Sequence, residues 1–436
     1  MRLIQQYVQQ FLPPELWREC IRWATLPSSG RLPLSDPPTC LSPWIPDCLT
    51  YEAFEEAPDF SYAYEQHQVY PTKRALMLVC KDWTELATEF LYESILVDLY
   101  GIPGIERFVD LLQTPGRGSQ LAWWVKRVDM NSRIKVHVLT IQKLCPNLRI
   151  FRMFSVDSHR CACYLEPIPF LHPESHLTTL AVTPITLSAI TLSAILEAAP
   201  LAHWRFLTII IEDFATSSGI KTCTTIPILP PLPQLLSLTI VWNATASLVP
   251  IGSWSCPLLT HLSIHFWDDF DDFSTLVEHF GPQLTFFAFT GAELYITPQT
   301  LHSFLKAMPK LKELVTPQLS ERVTLADQGP LREFTHSEVE VLGFPIALYE
   351  VDDRNAEYAQ IAHLLFPKLR AIRITNAQKV YALAHCRENP RKDRLKYLQS
   401  FARVLEGLGV VLEDPTGEDV RHYILEGRMM PTESAE

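Results

Sequence analysis

Apolar residues along this chain follow two different rhythms. In FLPPELWRECIRWAT, residues 11–25, Leu16, Trp17, Cys20, Ile21 and Ala24 recur at helical spacing. Pro13 and Pro14 stand where a helix can begin, because an N–H missing from the first turn would be unpaired anyway. Glu15 then lies where the helix dipole favours negative charge, and Pro27 stops extension past Leu26. A second helical stripe runs through TKRALMLVCKDWTELATEFLYESILV, residues 72–97, with Leu76, Val79, Cys80, Trp83, Leu86, Ala87 and Phe90 on one side. Tyr92, Ile95 and Val97 at its end read as a strand. The stretch between, 27–70, is dense in proline, Asp and Glu, which predicts a long exposed loop.

From residue 98 onward the rhythm changes to a fixed figure: an apolar anchor, two residues, a second anchor, one residue, a third. It reads Val125-Val128-Met130, Leu148-Phe151-Met153, Leu177-Leu180-Val182, Trp204-Leu207-Ile209 and Leu235-Leu238-Ile240. It continues as Leu259-Leu262-Ile264, Leu284-Phe287-Phe289, Leu311-Leu314, Leu331-Phe334 and Leu369-Ile372-Ile374. Successive first anchors stand 23, 29, 27, 31, 24, 25, 27, 20 and 38 residues apart. Most of these intervals fall near the ~20–29-residue period of leucine-rich repeats. A proline or turn commonly precedes the figure (CPNL, CPLL, GPQL, MPKL, FPKL), and helix-like stretches such as 191–200, 273–282 and 297–311 separate the strands. A strand–helix unit cannot bury its apolar face alone, so stacked units predict a curved solenoid with a parallel sheet on its concave side. The repeats lack the asparagine ladder of the regular family and resemble the degenerate repeats of F-box proteins.

The early helices carry the matching resemblance. Leu12-Pro13-x-Glu15-Leu16 with Ile21, followed by Leu76-x-x-Val79-Cys80-Lys81-x-Trp83-x-x-Leu86, resembles the F-box, in the divergent form of fungal proteins. That family's motif is a three-helix module that docks on the Skp-type adaptor of cullin–RING ubiquitin ligases. The resemblance implies adaptor contacts at Leu12, Pro13, Leu16, Cys20, Ile21, Leu76, Val79 and Trp83. The departure is the insertion, where a compact F-box has a short turn; closing a loop of that length adds little entropy.

The expected fold is thus α/β. A short extension, 1–10, leads into an F-box-like module, 11–97, interrupted at 27–70. An irregular solenoid follows at 98–412, with an amphipathic capping helix near 391–408 and a tail at 413–436. Residues between the inward anchors should face the concave side, which nominates Arg152, Thr239, His261, Ser263, His265, Thr290, Arg373 and Thr375 as target-binding residues.

Composition narrows the function. A net charge of −12 disfavours sequence-independent nucleic-acid binding, which needs a basic footprint. No apolar run approaches the ~20 residues of a membrane span, and MRLIQQYVQQFLPPE lacks a signal peptide's apolar core, so a cytoplasmic or nuclear location is expected. Ten cysteines in 436 residues fit reduced, mostly buried thiols.

Nucleophile-elbow, P-loop and HExxH patterns are absent, and no enzyme activity is expected. HRCACYLEPIPFLHPESH, 159–176, offers His159, Cys161, Cys163, His172 and His176, but at spacings unlike those of zinc sites. The acidic run Asp268-Asp269-Phe270-Asp271-Asp272 lacks the glycine and closing Glu of an EF-hand. Arg387, Arg391, Lys392, Arg394 and Lys396, diluted by Glu388 and Asp393, read as a solvated helix face. No metal or cofactor is expected.

The resemblance implies a substrate-recognition subunit that holds the adaptor through its F-box and an unidentified protein target through its repeats. The alternative is a repeat scaffold whose F-box-like helices only cap the first repeat. Exposed Leu and Pro on the first helix would favour docking; burial would favour capping.

Overall fold

The computed structural model describes residues 13–25, 62–97, 102–131, 137–154, 177, 179–182, 204–212, 231–243, 254–266, 274–291, 298–316, 335–344, 354–374, 392–414, 417 and 419–426. They fall into two compact units, one ending at Leu235 and the other beginning at Leu236.

The first unit opens with α1 (Pro14–Ala24), α2 (Tyr62–Met77) and α3 (Lys81–Glu93). Ile21, Ala87 and Phe90 form their shared core, with Leu76, Met77, Trp83 and Leu86 packed around it. Helix α2 begins ten residues before the apolar stripe does and carries Pro71 inside it, in what the sequence marks as loop and boundary. Packing of the helix on α3 outweighs the one backbone bond that proline removes. No linker follows α3. The chain passes directly into β1 (Ser94–Val97), which pairs in parallel with β2 (Arg127–Asn131). Helices α4 (Ile102–Gln113) and α5 (Arg117–Trp124) lie between them. Their junction needs glycine twice: Gly116 has φ +75°, and a Cβ on Gly118 would come within 2.2 Å of the Leu112 carbonyl oxygen. After α6 (Val138–Leu144) come β3 (Ile150–Phe154), β4 (Thr179–Val182) and β5 (Phe206–Glu212), each parallel to the strand before it.

The second unit continues the same construction. Strands β6 (Ser237–Asn243), β7 (His261–Phe266), β8 (Phe286–Gly291), β9 (Glu313–Val315), β10 (Val341–Phe344), β11 (Ala371–Ile374) and β12 (Val411–Glu413) pair in sequence order, all parallel. Helices α7 (Ser274–Phe280), α8 (Pro298–Ala307), α9 (Arg354–Leu365) and α10 (Lys392–Gly407) connect them, and α11 (Arg421–Glu426) ends the described chain. Phe289 of β8 meets Phe304 of α8 edge-on at 6.5 Å, so the anchor side of the sheet is the helix side.

One turn explains why the strands start where they do. Six times a buried or closely packed residue is followed by Pro-x-Leu: Cys145–Leu148, Leu232–Leu235, Cys256–Leu259, Gly281–Leu284, Met308–Leu311 and Phe366–Leu369. In each, the Leu N–H donates to the carbonyl three residues back, at 2.9–3.2 Å. Proline at the second position presets φ for such a turn and gives up no needed donor. Two successive N–H groups beyond the turn then donate to a single carbonyl ahead of the preceding strand. Arg149 and Ile150 use Lys126, Thr285 and Phe286 use Thr260, and Lys312 and Glu313 use Thr285. Within each unit, turn and forked bond together lock the register from one strand to the next.

Two features of the second unit go beyond the sequence expectations. β10 is built on Val339-Leu342-Phe344, which the sequence reading did not name, while Leu331-Phe334 lies outside the described residues. Its turn has no proline; His336 occupies the place that Cys, Leu, Met or Phe hold elsewhere. His336 Nε2 donates to the Met308 carbonyl at 2.9 Å while Nδ1 accepts the Glu338 N–H at 3.3 Å. The expected tail also folds back. Val420 and Ile424 are buried, and α11 packs on α10, where Gln399 Nε2 donates to the Ile424 carbonyl at 3.0 Å.

Candidate docking surfaces

Among the described residues, helix α1 is held from one side only. The Pro13 carbonyl accepts from the Leu16 and Trp17 N–H groups at 3.0 and 3.2 Å, and the Thr25 hydroxyl closes the last turn on the Ile21 and Arg22 carbonyls. Trp17 meets Trp83 of α3 with ring centroids 5.1 Å apart, and the Arg22 guanidinium lies over Phe90. Arg18 pairs with Glu89 of α3, and Lys126, just before β2, pairs with Glu89 at 3.8 Å and Glu93 at 2.9 Å. This chain of charges ties α1 through α3 to the start of the sheet.

Helical geometry then forces the remaining positions outward. Leu16, Cys20 and Trp23, spaced i, i+4, i+7, are exposed, Leu16 at 49% and Trp23 at 67%. The turn joining α2 to α3 presents Leu78 at 84% and Val79 at 46%.

Of the expected adaptor contacts, Pro13, Leu16, Cys20 and Val79 are therefore on the surface. Leu76 and Trp83 are half-buried against the core. Ile21 is corrected: at 2% exposure it is core, because one helix face cannot serve both α3 and solvent. Leu12 lies outside the described residues. The sequence reading missed Trp23 and Leu78. Trp23 continues the outer i, i+4, i+7 row, and Leu78 neighbours Val79 in a turn too short to bury both.

Lys73 of α2 is buried. Desolvation lowers its pKa to about 8, opposed by the charge of Glu93.

The second candidate surface is the face of β6–β12 opposite the anchors. His261 stacks on Phe286, with centroids 5.6 Å apart, and its Nδ1 is 2.8 Å from the Thr260 hydroxyl. Burial lowers its pKa, and Glu313 opposes that. Thr239 is half-buried. Ser263 is corrected to a buried residue, at 4% exposure. Phe286, Ala288, Val315, Val341 and Ala371 share this side and form a buried cluster with Val411 against it. The expected open polar face is, across β8–β12, a second core, because the residues between the anchors there are mostly Phe, Ala and Val.

Arg373 is corrected in the same sense. Its Nη2 and Nε reach Glu413 Oε2 at 2.8 and 2.9 Å, and its Nη1 lies 3.8 Å from Glu313 Oε2. Register explains the reach: Gly343 stands between Arg373 and β9 and has no side chain to obstruct it. Arg370 adds a further contact to Glu413 at 3.4 Å. The guanidinium is thus an internal tie across β9–β12. Arg152, His265 and Thr290 occupy positions in β3, β7 and β8, and Thr375 lies outside the described residues.

No group of three or more His, Cys, Asp or Glu among the described residues is arranged to hold a metal ion, and 159–176 and 267–272 lie outside them. Burial pushes the thiols of Cys145 and Cys256 up to about 12, which keeps them protonated and unreactive. No described helix is long and apolar enough to cross a membrane. Comparison with protein-family models and with curated proteins returns no match.

Proposed function

We propose that the chain is a substrate-recognition subunit of an SCF-type cullin–RING ubiquitin ligase. In this reading α1 and the α2–α3 turn dock on a Skp-type adaptor, and a curved leucine-rich-repeat solenoid holds a protein target. The chain makes no bond itself; it raises the local concentration of target at the ligase.

One observation carries this reading. Of eight large apolar side chains left exposed among the described residues, five lie between residues 13 and 93: Leu16, Trp23, Tyr70, Leu78 and Val79. A module serving only as a cap has no use for apolar side chains turned to water, whereas a protein interface draws its energy from a few such anchors.

The alternative scaffold reading rests on the passage of α3 directly into β1 and on burial of Phe90 and Leu91. That inner side can cap the first strand while the outer side docks, so both readings predict the same fold but different binding.

A pull-down with the Skp-type adaptor separates them. Wild type is expected to bind. The double variant Pro13→Ala plus Leu16→Ala, changed only at exposed positions, should lose most of that binding while keeping its circular dichroism. A folded wild type that captures no adaptor sinks the ligase reading and leaves the scaffold.

A further inference from the structure

Parallel arrays have an inherent weakness at their last strand, whose outer N–H and C=O groups offer a template to any other strand. In β12 the inward groups are used: the Val411 N–H donates to the Arg370 carbonyl at 2.9 Å. The outward groups of its neighbours are used too, and by the chain itself. The Val420 N–H donates to the Leu412 carbonyl at 2.9 Å, and Asp419 makes an antiparallel bridge to Glu413. Arg421 Nη1 reaches the Val410 carbonyl at 3.4 Å. The same guanidinium is forked onto Asp419, with Nη2 to Oδ2 at 2.8 Å and Nε to Oδ1 at 3.1 Å, which fixes its direction.

The returning segment is anchored at both ends. Gly417 turns with φ +89°, its N–H donating to the Asp414 carbonyl at 3.0 Å, and a Cβ there would stand 3.4 Å from Arg373 Nη2. At the far end, Ile424 is buried and its carbonyl is held by Gln399 of α10.

We infer that the segment Asp419–Glu426, behind the turn at Gly417, is a clasp that occupies the outer edge of β12 and bars it from pairing with a second copy of this chain. Its direction is part of the device. A single antiparallel bridge, with the Val420 and Arg421 hydrogen bonds beside it, covers the edge without offering a new parallel strand, so the array cannot be extended from outside.

The test uses the full chain. Val420→Pro removes the N–H that holds the Leu412 carbonyl. Position 420 accepts proline because it directly precedes α11 and follows extended Asp419. Combined with Arg421→Ala, it should release the edge. Sedimentation velocity over a hundredfold concentration range is expected to show at least tenfold tighter self-association than wild type, with the Leu412 amide protected from exchange only in the associated form. A folded double variant that associates no more than wild type overturns the inference. If the double variant does not fold, Arg421→Ala alone decides, since it changes only a partly buried side chain. It should give a smaller rise in association together with faster exchange of the Val420 amide, and wild-type behaviour on both measures overturns the clasp.

Discussion

Lys73 and Arg373 are charges inside the protein, and they differ in what surrounds them. Lys73 is held near the α3–β1 junction with its pKa lowered to about 8 by desolvation, against 10.5 for the free side chain. Between those values the unfolded chain binds more protons than the folded one, so stability should rise as pH increases through about 8 to 10.5. The penalty is fully present below that window and is on the order of 3 kcal/mol. Lys73→Met should leave the urea midpoint at pH 7 unchanged or higher and flatten the rise between pH 8 and 10. An unaltered pH slope in the variant would show that another group is responsible. Arg373 is matched by Glu413 and Glu313. Arg373→Ala leaves the Glu413 carboxylate buried with Arg370 as its remaining ion-pair partner among the described residues and should cost about 3–5 kcal/mol, read from denaturant midpoints. A residue whose role was to meet a target would lose binding and little stability; unchanged stability would restore Arg373 to the target surface.

At the scale of the element, the Pro-x-Leu turn is the unit of construction, and His336 is its informative exception. His336 bonds to the carbonyl of Met308, which is itself buried. His336→Ala leaves that carbonyl with the Leu311 N–H as its remaining donor and should cost about 0.5–1.5 kcal/mol, while His336→Gln, which keeps a donor, should recover part of it. Equal melting temperatures for the two variants would mean that shape and not the hydrogen bond matters at this turn. The same exception shows why some of the fold was legible and some was not. The anchors could be read because three buried positions recur in a fixed phase behind a proline. β10 could not, because its turn replaced proline with Ser337 and its first apolar residue with a histidine that looks polar on paper. Helix α2 was cut short in the reading because Pro71 looks like a boundary when only local rules are applied. The opposite face of the sheet is hard to read because its polar residues alternate along the same rows with Phe286, Ala288, Val315 and Val341, whose burial shows only when the strands are aligned.

Across the whole chain, apolar side chains divide into those that hold the fold and those that remain for a partner, and the helical module contains both within two turns of one helix. Ile21 and Trp17 face α3; Leu16, Cys20 and Trp23 face away. Sequence spacing makes the amphipathic pattern visible, but it cannot assign the sides, since both stripes are apolar. Stability measurements can. Ile21→Ala removes a buried side chain from a closely packed site and should cost about 2–5 kcal/mol. Leu16→Ala combined with Leu78→Ala removes more apolar volume, yet from positions already in water, and should change stability by no more than about 0.5 kcal/mol per site. Adaptor binding should respond differently: abolished by the surface pair, and retained by Ile21→Ala at temperatures where that variant stays folded. If the surface pair destabilises the protein as much as Ile21→Ala does, those leucines belong to the fold, and the module is a cap before it is anything else.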